Sequence, residues 1–351
     1  MKKELKFIGL LYLFIFAIEL IKKVTSSFSL DIKSFLMQNL NPIKSVAVGW
    51  FTTSIVQSSD VVGTITAAFT GNGLISLSTA VYILIGASLG TTITAIVISL
   101  ITSARHKRDF RHGFEIGLSY AIYSALLVII VLFLEYFFKV FSKTSFFLAS
   151  KLQKGISLLK IPNLTEAITS PIINLFFTHL NKILLLLIGF GILIFVLRFI
   201  GKSIIELLGG EEKAQKIIKK SFGSKYKAYF LGFITTAIVF SSSITVGLLV
   251  PLAAARLISL RKAIPFILGA DVGTFSSVFL ASIMIGEINA LAASLNFLLF
   301  GIIGGIIFLP NTKVLYKMTK YVSKRLIKIS RKKALILLVL FILIPLLIIL
   351  L

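Results

Sequence analysis

The chain has 351 residues, 57% hydrophobic and 14% charged, with a formal net charge of +24 and no cysteine. A mean hydropathy of +1.01 excludes an ordinary soluble domain, and the lack of cysteine excludes disulfides, thiolate metal sites and cysteine nucleophiles. In a soluble chain this charge would suggest nucleic acid. Here the Lys and Arg lie between apolar runs, where anionic headgroups and the positive-inside bias account for them, and no aromatic-basic platform favours nucleic acid.

Lys2, Lys3 and Lys6 lead an apolar run over about 5–22 with no small-residue cleavage site before Lys22 and Lys23, so it reads as an uncleaved first helix. Six further apolar segments are long enough to cross a hydrocarbon core of roughly 30 Å as helices, at about 74–101, 113–138, 182–208, 258–285, 288–309 and 334–351. Two others, about 43–70 and 226–255, carry Gly, Ser and Thr at mid-length and a polar cluster where the bilayer centre would fall. Irregular backbone at that depth survives only when buried in protein or lining a wet cavity, so both read as re-entrant hairpins with Ser clusters at their tips. The alternative is two ordinary crossings whose hydroxyls bond back to helix carbonyls. The segment 139–181 carries five lysines and an amphipathic stretch at Lys151–Lys160, and is read as a connection lying along the membrane surface.

The broken segments are related. Thr52-Thr53-Ser54-Ile55-Val56-Gln57-Ser58-Ser59-Asp60 returns as Thr235-Thr236-Ala237-Ile238-Val239-Phe240-Ser241-Ser242-Ser243, an offset of 183 residues (235 − 52). The offset holds ungapped through Gly86-Ala87-Ser88-Leu89-Gly90-Thr91 and Gly269-Ala270-Asp271-Val272-Gly273-Thr274, with roughly fifteen identities in about forty residues. Apolar low complexity could mimic matched Ile and Leu, but not paired Ser-Ser and Gly-Ala-x-x-Gly-Thr elements at one offset. The chain is therefore an internal duplication.

The connection Arg105–His112 and the stretch Pro310–Lys333, with nine Lys/Arg and no acid, are both expected in the cytoplasm. From a cytoplasmic N-terminus, equivalent points of the copies are then separated by an odd number of crossings, giving an inverted repeat. The expected organisation is a first repeat over 1–138, the connection 139–181, a second repeat over 182–309, and a basic segment plus final helix over 310–351. The fold class is an all-α integral membrane protein.

Inverted repeats with broken helices hold substrate and coupling ion where the repeats meet. Ser58, Ser59, Ser241, Ser242 and Ser243 offer hydroxyl donors beside free N–H groups at the restarting helices, a combination that suits an anion. Gln57, Ser88, Thr91, Thr92 and Thr274 offer oxygens for a small hard cation. Gly86, Gly90, Gly269 and Gly273 permit helix breaks or close packing. Asp60 and Asp271 are costly at membrane depth and read as functional. Glu19, Glu115, Glu135 and Glu206 read as solvated near helix ends, His179 as the start of the fourth crossing and Trp50 as an interface anchor. No metal-ligand spacing, catalytic triad, P-loop or dinucleotide fingerprint is legible, so an enzyme is not expected.

Gln57-Ser58-Ser59-Asp60 with Gly86–Thr92, Phe240–Ser243 with Gly269–Thr274, and the approach Arg261-Lys262-Ala263-Ile264-Pro265-Phe266-Ile267-Leu268 together resemble the sodium-dependent phosphate cotransporters of the type II family. That family carries two inverted Gln-Ser-Ser-Ser hairpins, each followed by Gly-Ala-Asn-x-Gly-Thr. The resemblance covers about 43–309. It implies phosphate at the Ser tips, sodium at neighbouring Gln, Ser, Thr and Asp oxygens, no organic cofactor and a multi-pass plasma-membrane location. A homodimer is compatible with it. This chain departs at Asp60, Ser88, Phe240 and Asp271, and a His and Asn typical of the family's third helix are missing around Tyr120 and near Asn296. Proton coupling, another oxyanion, or a non-transporting membrane sensor or scaffold are the competing readings.

Overall fold

In a computed structural model, residues 2–27, 39–94, 96–97, 107–158, 161–207, 209–220, 223–326 and 331–351 are described. All regular structure among them is helical. Five stretches are long and apolar enough to cross a membrane: Leu77–Thr94, Arg111–Phe138, Lys182–Leu207, Leu260–Ile285 and Ile288–Phe308. The other two expected crossings are also helices, α1 (Lys2–Ser26) and the C-terminal Arg331–Leu350. The expected helix end at 98–101 and the first part of the basic connection, to His106, lie outside the described residues.

The first copy comprises α2 (Pro42–Val56), α3 (Ser59–Gly71), α4 (Leu77–Gly90) and α5 (Lys107–Phe138). Two helices follow, α6 (Val140–Leu158) and α7 (Ile161–His179), the first packed on the last helix of the second copy and the second on α1. Next come α8 (Lys182–Leu207) and α9 (Glu211–Lys220). The second copy comprises α10 (Lys225–Val239), α11 (Ser242–Gly247), α12 (Leu249–Ala254), α13 (Leu260–Gly273), α14 (Phe275–Ile285) and α15 (Ile288–Phe308). Only helical Leu248 separates α11 from α12, so Ser242–Ala254 runs as one apolar helix. The chain ends with α16 (Thr312–Leu326) and α17 (Arg331–Leu350).

The two copies pack by the same rules. In each, the first arm of the break lies against the following helix, α2 on α4 and α10 on α13. Backbone approach at these interfaces is too close for any side chain: a Cβ on Gly86 would sit 1.9 Å from the Val46 carbonyl oxygen, and one on Gly269 1.8 Å from that of Tyr229. Val46 and Tyr229 are again related by the offset of 183. Each second arm packs instead on the far helix of the other copy, α3 on α15 and α12 on α5. The copies are thus interlocked rather than juxtaposed.

Three acids expected in solvent are buried. Glu19 accepts from the Thr165 hydroxyl at 2.6 Å, tying α1 to α7. Glu135 accepts from the N–H groups of Phe141 and Ser142 at 2.9 and 3.1 Å, capping α6 with a carboxylate where the helix dipole favours one. Glu115 is held by Lys320 at 2.6 Å and Arg111 at 3.2 Å. Other helices cover these sites, which flank position alone does not reveal. Glu206 is accessible and pairs with Lys6. His179 ends α7 rather than beginning α8, and Trp50 lies edge-on to Phe341 of α17 with ring centroids 5.1 Å apart.

Candidate functional site

Each duplicated segment breaks at one place and in one way. Gln57 (φ 59°, ψ 29°) ends α2 in the left-handed region, its N–H bonded to the Thr53 carbonyl. Phe240 (φ 55°, ψ 29°) ends α10 with its N–H on the Thr236 carbonyl. A left-handed bulky residue is uncommon and costs about 1–3 kcal/mol, so it persists only where its surroundings hold it. The next residue, Ser58 or Ser241, is extended and caps the new helix, its hydroxyl accepting from the N–H of Val61 at 3.4 Å or Ile244 at 3.3 Å. A left-handed cap followed by a Ser N-cap ends one helix and starts the next without a glycine.

The breaks meet. The Ser243 hydroxyl donates to the Gln57 carbonyl at 3.4 Å, and the Thr94 hydroxyl donates to the same oxygen at 3.3 Å. Ser59 and Ser242 are buried at the first positions of their helices, and the Ser242 hydroxyl, beside that of Tyr120, makes no well-formed hydrogen bond. The hydroxyls of Thr53, Thr236 and Thr274 are buried and unpartnered. Thr236 lies over Gly273, next to Thr274, and Thr53 over Gly90, next to Thr91. Orphaned hydroxyls are rare in protein interiors, and these four lie along the arms and at the helix end beside the two breaks.

The sequence-predicted residues divide accordingly. Gln57, Ser58, Ser59, Asp60, Ser241, Ser242 and Ser243 all lie at the two breaks, and Thr274 at the end of α13. Thr91, Thr92 and Ser88 bond back to carbonyls of their own helix, those of Ala87, Leu89 and Leu84. Gly86 and Gly269 lie within continuous helix, so close packing, not helix breaking, is what the backbone requires of them. Gly90 and Gly273 are the last residues of α4 and α13.

Both acids have hydroxyl partners from distant helices. Asp60 is 1% exposed and accepts from Ser277 of α14 at 2.9 Å and, more weakly, from Ser58 at 3.5 Å. Asp271 accepts from Tyr120 at 3.1 Å and Tyr123 at 2.9 Å, one tyrosine on each carboxylate oxygen. Among the described residues neither acid forms an ion pair. Ser277, Tyr120 and Tyr123 were not singled out from the sequence. Two signals were available: Tyr120 and Tyr123 are three apart on an apolar helix, hence on one face, and Ser277 matches Thr94 at the repeat offset.

Interlocked apolar helices around a duplicated polar break define a multi-pass helical membrane protein. The chain matches the Na+/Pi-cotransporter family over residues 13–161 and 192–331 and belongs to it. That is a family of transporters rather than enzymes. It is similar to the sodium-dependent phosphate transport protein 2A of Rattus norvegicus, 26% identical over 423 residues that take in 96% of this chain and 66% of the relative. The proteins of the same name from Ovis aries and Mus musculus are 26% identical over 87% of this chain and 60% of their own lengths. The chain thus spans less than two thirds of these curated relatives. No solved structure matches it.

Proposed function

We propose that the chain is a sodium-coupled inorganic phosphate symporter of the plasma membrane, working by alternating access between two inverted repeats. The observation that carries this is the meeting of the two breaks through Ser243 and Gln57, beside hydroxyls of Ser242, Thr53, Thr236 and Thr274 that make no well-formed hydrogen bond. Phosphate is taken between the tips by Ser58, Ser59, Ser241, Ser242 and Ser243 and by the first N–H groups of α3 and α11–α12. These donors match an oxyanion that offers only acceptors and some negative charge.

Sodium, as co-substrate, takes oxygens rather than donors. Asp60 and the Gln57 and Thr oxygens supply them beside the anion, and this proximity is the coupling. Two like unit charges about 4 Å apart repel by roughly 4 kcal/mol at an effective dielectric near 20. Asp60 and phosphate therefore need a cation between them. In alternating access the interlock of α3 on α15 and α12 on α5 moves as a body around this point. The relatives' printed name, with its sodium-dependent phosphate transport, supports the same reading.

Asp60 and Asp271, whose described partners are all hydroxyls, favour a proton as the second candidate for coupling ion. Uptake of radiolabelled phosphate into proteoliposomes, with sodium and proton gradients imposed separately, decides. Uptake driven by sodium alone supports the proposal. Uptake driven only by protons replaces the ion, and none under either gradient overturns phosphate symport.

A further inference from the structure

Helix α16 presents three different faces. Leu315, Thr319 and Ser323, at four-residue spacing, are buried against α5 and α13. Val314, Met318 and Tyr321 form a second, exposed apolar stripe. Lys313, Lys317 and Lys324 are exposed on the arc between the two, and Arg325 stacks on the Tyr321 ring at 4.5 Å. Pro310–Lys333 contains no acid. The buried stripe accounts for folding; the apolar stripe beside the lysines does not serve it.

We infer that α16 is a docking helix for the anionic phospholipid surface of the cytoplasmic leaflet, with Val314, Met318 and Tyr321 in the acyl boundary and Lys313, Lys317 and Lys324 on headgroup phosphates. Position selects this occupant. Only Leu309–Asn311 separates α16 from the crossing helix α15, so it sits at headgroup level. An amphipathic helix with a narrow apolar stripe and a cationic flank binds there by combining burial with attraction to anionic lipid. The same helix carries Lys320, which holds the buried Glu115 of α5, five residues before Tyr120. Docked lipid therefore steadies the helix that furnishes the hydroxyls on Asp271.

The chain has no cysteine, so Met318→Cys provides a unique handle for an environment-sensitive fluorophore on the full-length protein. The labelled protein is reconstituted into phosphatidylcholine vesicles with and without phosphatidylglycerol. A blue-shifted emission, quenched by brominated lipid, is expected only with phosphatidylglycerol; it is lost in K313Q/K317Q/K324Q and weakened by high salt. Emission that is the same in both lipids, or unchanged in the triple variant, overturns the inference. Self-quenching between labels on two copies would give the stripe to a second copy of the chain and overturn it as well. The readout requires no transport, so it stands or falls separately from phosphate symport.

Discussion

The Ser243 hydroxyl and the Gln57 carbonyl, 186 residues apart in sequence, meet at 3.4 Å and join the two helix breaks. The contact is asymmetric. Ser243 corresponds by the repeat to Asp60, which bonds not to Phe240 but to Ser277 of α14. Divergence at one position of a duplicated motif has thus given the two tips different duties, a donor on one side and a carboxylate on the other.

The proposed inversion of the two repeats makes a topological prediction. A tag inserted after Asn72 should be reached by an impermeant reagent from outside intact cells, and one beside Arg256 only from the cytoplasm. Both positions lie at the far ends of the second arms, in turns that tolerate insertion. Labelling of both tags from one side would leave a duplication without inversion.

The glycine interfaces predict a paired loss of stability. Gly86→Ala and Gly269→Ala each drive a methyl into backbone, which no rotamer change relieves, and each should cost at least the 1–3 kcal/mol roughly typical of overpacking. Gly9→Ala and Gly191→Ala meet nothing within 4 Å and serve as controls. Thermal unfolding in detergent checks this; equal transitions for all four variants would contradict the packing described.

Local chemistry explains what was legible in the sequence. The breaks were visible because helix ending and restarting depend on adjacent residues, and duplication marked which Ser positions mattered. The partners of the acids were not, because Tyr120 and Tyr123 lie 151 and 148 residues from Asp271 and Ser277 lies 217 from Asp60. The buried Glu115 was misread for the same reason: Lys320, which covers it, is 205 residues away.

Tyr120, Tyr123 and Asp271 should behave as one unit. Tyr→Phe at either position takes a donor from a partly buried carboxylate, and leaving it unsatisfied costs about 1–3 kcal/mol. In an Asp271→Asn background the same replacements should cost distinctly less, giving a coupling on the order of 0.5–3 kcal/mol in a double-mutant cycle. Additive losses in detergent unfolding would mean that the hydroxyls and the acid stabilise the bundle independently.

Glu115 and Lys320 should differ in their sensitivity to removal. Lys320→Ala leaves a buried carboxylate without its shortest cationic contact, with the part-exposed Arg111 and the Ser323 hydroxyl beside it, whereas Glu115→Gln leaves two cations that can turn to water. The lysine variant should therefore be the less stable. If Glu115→Gln proves the more damaging, the carboxylate acts beyond pairing with α16.

In the proposed symport, Asp60 is the residue on which coupling turns. Its carboxylate is buried, receives one good hydrogen bond from Ser277 and a weak one from Ser58, and starts the helix whose N–H groups face the proposed anion. Asp60→Asn keeps shape and acceptor while removing the charge that a cation must balance, so the fold should survive: abundance and unfolding temperature should stay near wild type. The sodium activation curve for phosphate uptake should not. In the proposed arrangement sodium would lose its strongest ligand while the anion would lose a repulsive neighbour, so half-activation should require more sodium and uptake should become less dependent on its gradient. Measuring uptake against sodium at several pH values separates the ions. A pH profile that flattens while the sodium curve holds would make Asp60 a proton carrier. Sodium and pH profiles both matching wild type would make Asp60 a bystander and leave the cation to Gln57 and the threonine oxygens.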